Sequence, residues 1–218
     1  MDKLRLVYEQ TGRARWISHL DAMRTLQRGL NRADVPIKYS EGFNPHALIS
    51  ILMPLSVGTE SLYQMADIRV REEVDLAGLP ERLTLAMPEG FRFRDVYENG
   101  AKPTEMKWLR VRGVWEYDER NPEEMTELCR ELFSRPVQVM RKTKRGEGLF
   151  TVTEHIRDLR FVPGEKAVTV EALLSCNEPM VNPDLLTAAV AQNAPEASPD
   201  GGHFCRLATF KADDTAFR

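Results

Sequence analysis

Residues 3–34 read KLRLVYEQTGRARWISHLDAMRTLQRGLNRAD, and the change of period within this stretch decides the fold. Lys3–Glu9 alternates polar and apolar residues, the period-two signature of a half-buried strand. Thr11-Gly12 breaks that pattern. Ser18 then stands as a helix N-cap with Asp21 three residues later in a capping-box arrangement, and Leu20, Met23, Leu26 or Gln27, and Leu30 recur at helical spacing. The helix is expected to stop near Asp34, because Pro36 disfavours helical backbone in the residue before it.

Working outward, short extended segments are expected at 35–40 and 47–53, on either side of the loop Ser40-Glu-Gly-Phe-Asn-Pro-His46. A strand follows at 65–71, a helix around 75–87 and a strand at 91–97. With one loop elaborated, this is the order β-α-β-β-α-β, in which two helices cover one face of an antiparallel sheet. Glu98–Pro103 reads as a linker. The pattern then restarts with a strand at 107–117 and a helix at 121–134, where Asn121 caps and Pro122 takes the first helical position. Strands are expected near 136–143, 149–161 and 166–175, a helix near 182–192 and a last strand at 203–211. The expected class is α+β, with two ferredoxin-like lobes in tandem, antiparallel sheets with helices on one face, over residues 1–100 and 101–218. The halves share no residue-level repeat, so duplication is a topological reading.

Composition limits the chemistry. The 218 residues are 42% hydrophobic and 29% charged, ordinary for a folded protein with a real core. No run of about 18 apolar residues occurs, so no membrane partner is expected. The opening MDKLRLVYEQ lacks the apolar core of a signal peptide, and a cytoplasmic location is expected. Three cysteines, Cys129, Cys176 and Cys205, lie far apart. A radical SAM enzyme holds its cluster with three closely spaced thiolates, so that chemistry is excluded for this chain by itself. No cofactor is expected. The formal net charge is −3, so any nucleic-acid binding requires a local patch.

Such a patch is legible between Gly12 and Ala33, where Asp21 is the only acidic residue. Arg24, Arg28 and Arg32 recur at i, i+4 and i+8, a slowly drifting stripe on a helix, with Arg13 and Arg15 before it and Lys38 after it. Guanidinium groups in a row suit phosphate recognition, since each donates two parallel hydrogen bonds. The alternative is a solvated face whose carboxylate partners come from elsewhere. In the loop, Tyr39 and Phe43 suit stacking on unpaired bases, Asn44 suits base edges and His46 a phosphate. Equally, Phe43 plugs the core while Asn44-Pro45 makes a turn. His19, beside Asp21 in the first helical turn, is placed for acid/base chemistry, or else it hydrogen-bonds to a neighbouring loop. A second basic run, Arg135, Arg141, Lys142, Lys144 and Arg145, reads as a cationic hairpin tip. It is either a solvated turn or the second half of a clamp on a nucleic-acid backbone. His155 with Glu154, Asp158 and the distant His203 lacks the spacing of a metal site, and none is expected.

The order TG–R–SHLD–R–R–RA–P–YS–GF–PH–S–PL–G–S, running from Thr11 to Ser61, resembles the N-terminal signature of the radical-SAM-linked family. The resemblance covers the chain, but its specific part is this first third. It implies a protein that stands free or is fused to the end of cobalamin-binding radical SAM proteins, and hence a radical SAM protein as partner. The resulting expectation is an accessory protein, not itself an enzyme, that binds RNA (tRNA or rRNA) through the arginine helix and adjoining loop. Tandem ferredoxin-like RNA endonucleases of the CRISPR-processing type also place a histidine near the first helix, an analogy of fold that favours binding over cleavage. Two rivals stand beside it: metal-independent RNA processing by His19 and His46, and a module that docks only onto the radical SAM protein.

Overall fold

The computed structural model describes residues 2–98, 100–143 and 146–218, and within them all but the side chains of residues 142 and 143. The chain forms two compact units, Met1–Pro103 together with Arg218, and Thr104–Phe217. Within each unit the paired strands are antiparallel. Four α-helices are present among the described residues, and none is long and apolar enough to cross a membrane.

The first unit contains β1 (Lys3–Gln10), α1 (His19–Arg32), β2 (Ile49–Leu52), β3 (Glu60–Arg69), α2 (Leu79–Ala86) and β4 (Phe91–Glu98). Its strands lie in the order β4-β1-β3, with β2 paired to β3. On one face Leu4, Leu6 and Tyr8 of β1 join Ala66 and Ile68 of β3 and the buried side of α1 in a single apolar cluster. Tyr8 stacks on Phe91 and Phe93 of β4, at 6.0 and 5.3 Å. Alternation sends Arg5 and Asp67 to the other face.

There Arg5 and Asp67 stand opposite each other in the register, both buried. Arg5 donates from Nε to Asp67 Oδ1 at 2.8 Å and from Nη2 to Oδ2 at 3.1 Å, and Lys3 Nζ reaches the same carboxylate at 2.8 Å. Burial by itself raises the Asp67 pKa, but the hydrogen bonds from Arg5 and Lys3 outweigh it and hold the carboxyl below its ordinary value.

The inner side of α1 is Ala22, Leu26, Gly29 and Leu30. Leu20, expected on that side, is exposed instead. At 100° per residue it lies about 160° round the helix from Ala22, and the small Ala22 and Gly29 complete the stripe that counting large residues misses. Gly29 has a packing reason: a Cβ there would lie 2.2 Å from the Met87 side chain. Arg32 fastens α1 to α2 by donating from Nε and Nη2 to Ala86 O, at 2.8 and 2.6 Å, which satisfies a carbonyl in the last turn of α2.

The strand expected at 35–40 is absent. Only isolated bridges occur there, Ile37 with Val70 and Tyr39 with Ala47. Pro36 has no N–H to give a ladder, and Ile37 N–H turns back to Val35 O at 2.8 Å.

The second unit contains β5 (Trp108–Glu116), α3 (Pro122–Phe133), β6 (Gln138–Thr143), β7 (Gly146–Thr151), β8 (Ile156–Pro163), β9 (Ala167–Ser175), α4 (Asp184–Asn193) and β10 (Gly201–Phe210). The sheet order is β10-β5-β9-β8, and β6 and β7 form a separate hairpin. Buried Trp115 meets Phe161 at 5.8 Å and Phe204 edge-on at 6.4 Å. The single strand expected at 149–161 is two strands, β7 and β8, parted by a 3-10 turn at Val152–His155. Buried Val152 donates to Val137 O, and Val137 N–H donates to Thr153 Oγ1, so the chain is drawn inward before β8 begins. Cys129 and Cys176 are buried reduced thiols, pushed up by burial to about 12 and about 11.

Two outcomes follow for stability. Asp67→Ala strands the buried Arg5 guanidinium and is expected to cost about 3–5 kcal/mol in urea unfolding. The folded Asp67 pKa is depressed, so its contribution is present above about pH 4 and lost as pH falls through the folded value. The gap between wild type and Asp67→Asn should therefore narrow on acidification, and a pH-independent gap contradicts the assignment. Arg32→Ala should lower stability by about 1 kcal/mol, with Arg32→Lys intermediate, as read by thermal melting.

Candidate nucleic-acid interface

The approach to α1 is a 3-10 turn, Gly12–Trp16. Gly12 takes a positive φ of 59°, and its N–H donates to Glu60 Oε1 at 2.9 Å. Arg15 faces the same carboxylate at 3.6 Å and lies over the Trp16 ring, 4.8 Å from its centre. Trp16 passes so close to Gly58 that a Cβ there would stand 3.3 Å from the ring, yet the indole remains 60% exposed. Arg13 is exposed, with no partner among the described residues.

Ser18 caps α1 as expected, its hydroxyl accepting from Asp21 N–H at 3.2 Å and donating to Asp21 Oδ2 at 2.7 Å. The Ser18 hydroxyl first, and Arg24 after it, keep the Asp21 carboxyl below its ordinary pKa. His19 is exposed at the first helical position. The outer side of the helix carries Leu20, Arg24 and Arg28, all exposed. Arg24 pairs with Asp21 at 3.2 Å, and both are well solvated. Arg28 has no partner among the described residues. Arg32 leaves the row because its guanidinium is engaged by Ala86 O.

The loop is closed at its neck. Ser40 N–H donates to His46 O at 2.8 Å, His46 N–H donates to Ser40 Oγ at 3.0 Å, and that hydroxyl lies 2.8 Å from His46 Nδ1. Tyr39 and Ala47 bridge just below. Gly42, at φ 114°, makes the turn that a side chain would resist. Phe43 at the tip is fully exposed, and Asn44 beside it is exposed too. The reading of Phe43 as a core plug is thereby overturned: the core below is already filled by Ile37, Ala47 and Ile51. Gln27 Nε2 donates to Tyr39 OH at 3.4 Å, which seats the loop against the outer side of α1. Lys38 is exposed on the same segment. No hydrogen bond or ion pair joins His19 to His46 among the described residues.

The second basic run belongs to the other unit. Arg141 lies over Phe150 at 5.1 Å, across the hairpin from Gly148, and Phe150 stacks on His155 at 5.0 Å. Lys144 and Arg145 lie outside the described residues, as does the Lys142 side chain.

Two features escaped the sequence. Trp16 sits inside the basic stretch, and its aromatic type was the available signal. A cavity of about 430 Å³ is lined by Lys3, His46, Ser50, Asp67, Arg69 and Pro103, with apolar residues between them. These residues are scattered over a hundred positions, and only strand alternation hints that Lys3 and Arg5 share a face.

No curated protein matches the chain. Among solved structures, the crystal structure of an unknown protein from Galdieria sulphuraria aligns over 94% of this chain and 98% of that one, at 9% identity and a TM-score of 0.26, which carries no argument. A family model described as "Uncharacterized protein conserved in bacteria (DUF2344)" matches residues 3–183, from β1 to the threshold of α4. The chain therefore belongs to the DUF2344 family of bacterial proteins.

Proposed function

We propose that each unit is a ferredoxin-like lobe and that the first lobe binds RNA, as an accessory to a radical SAM protein. The orders β4-β1-β3-β2 and β10-β5-β9-β8, each with two helices in the connections, support the lobe assignment, with the β6–β7 hairpin as an insertion in the second. The radical SAM partner follows from the resemblance of the Thr11–Ser61 signature and from nothing else.

One observation carries the RNA reading. The Gln27–Tyr39 contact holds a neck-closed loop, with Phe43 bare at its tip, beside a helix face on which Arg28 has no partner. An aromatic ring held in water without apolar cover has no role in the core, and it suits stacking on an unpaired base. Arg13, Arg24, Arg28 and Lys38 supply phosphate contacts next to it, and local placement makes the net charge of −3 no obstacle. Closure of the neck lowers the entropy lost when the loop engages a base. Leu20 and Phe43 also support the rival in which this face docks only onto the radical SAM protein.

Binding to total cellular RNA across a salt series tests the reading. Wild type should lose affinity steeply with salt, and Arg24→Ala/Arg28→Ala should flatten the log–log slope by about 1.5–2. Phe43→Ala should weaken binding by about 1–3 kcal/mol with the slope nearly unchanged. Absence of binding in all three proteins removes the proposal, and recovery of a radical SAM protein regardless of nuclease treatment then favours docking.

A further inference from the structure

We propose that the cavity at the base of the loop is a binding site for a nucleoside monophosphate unit. The site rests on the RNA reading only for whether that unit belongs to a strand or is free. The cavity lies wholly in the first unit, on the sheet face that carries Arg5 and Asp67, and its volume of about 430 Å³ falls in the range of small-molecule sites.

Its charge suits an anion. Lys3, Arg5 and Arg69 face Asp2 and Asp67, so the cations exceed the carboxylates by one. Asp67 is held by two cations and is not a free carboxylate that would repel a phosphate. Arg69 is the most solvent-accessible donor of the set. Its partner Asp2 is 3.1 Å away, and both side chains are more than half exposed, so a phosphate can displace that weak, solvated pair.

His46 adds a polar ring to the wall. Its Nδ1 is engaged by the Ser40 hydroxyl at 2.8 Å, which also accepts from His46 N–H, so Nε2 is the ring nitrogen left for a ligand. Ser50, opposite Asp67 in the β2–β3 register, contributes a hydroxyl to the lining. Leu48 and Pro103 supply an apolar wall of the kind that a base or ribose requires and a bare phosphate does not, while Ala47, Ile49 and Ile68 close the site from the core side. The same His46 that closes the neck thus lines the cavity, so the loop with Phe43 and the cavity share one wall.

Calorimetric titration of the full chain with adenosine and uridine 5′-monophosphates tests this, with the nucleosides and inorganic phosphate as controls. The monophosphates should bind at least tenfold more tightly than either control. Arg69→Ala should weaken them at least fivefold. Asp2→Asn should tighten them about twofold, because it frees Arg69, and a purely structural role for Asp2 cannot produce that gain. Ser50→Trp fills the cavity and should abolish binding with the melting temperature maintained. Absence of monophosphate binding, or titrations of Arg69→Ala and Asp2→Asn that match wild type, overturns the site. Competition between the monophosphates and total RNA identifies a strand nucleotide as the occupant. Monophosphate binding by a protein that binds no RNA identifies free nucleotide, and then the RNA reading falls while the site stands. An Arg24→Ala/Arg28→Ala protein that loses RNA and keeps the monophosphates supports the cavity as a separate contact.

Discussion

Arg5 and Asp67 meet across β1 and β3, both buried, and the geometry of the first unit follows from keeping them together. A buried ion pair contributes little net stability compared with apolar residues of similar size, but breaking it is costly. Its consequence here is register. Sliding β1 by one residue against β3 would turn Arg5 into the cluster of Leu4, Leu6 and Tyr8 and leave Asp67 without its bidentate partner. The pair therefore selects one alignment among those that the apolar residues of β1 alone would tolerate, since every residue from Leu4 to Gln10 is buried.

That alignment propagates to the candidate site through the backbone. With β3 in place, Arg69 O accepts from Lys38 N–H, and Arg69 N–H donates to Leu48 O, so both ends of the loop segment hang from the last residue of β3. The Ser40–His46 neck closes directly above those bonds. The cavity beneath is bounded by Lys3 and Arg69, which are partners in the same register. A loop that would be an open excursion by sequence becomes an anchored projection, and the cost of exposing Phe43 is met by the hydrogen bonds below it.

The arginine row shows how one pattern divides into different tasks. Periodicity treats Arg24, Arg28 and Arg32 alike. The fold gives Arg24 a solvated partner one turn back, leaves Arg28 without one among the described residues, and sends Arg32 to the end of α2. The division arises because α1 lies against α2 at its C-terminal end, where the carbonyl of Ala86 needs a donor. Arg15 is likewise drawn aside by Glu60 and the Trp16 ring.

Local chemistry was enough to determine much of this protein. The Ser18 cap, the Asn121-Pro122 start of α3 and most of the order of strands and helices depend on residues within a few positions of one another, and each was legible in the chain, whereas β1, expected to be half-buried, is buried on both faces from Leu4 to Gln10. The absence of a strand at 35–40, the split of 149–161 by a buried Val152, and the exposure of Leu20 and Phe43 were decided by tertiary structure. So was the cavity, which joins Lys3, His46 and Arg69. Each depends on which distant group meets a given donor or apolar surface, and local periodicity carries no record of a partner sixty residues away.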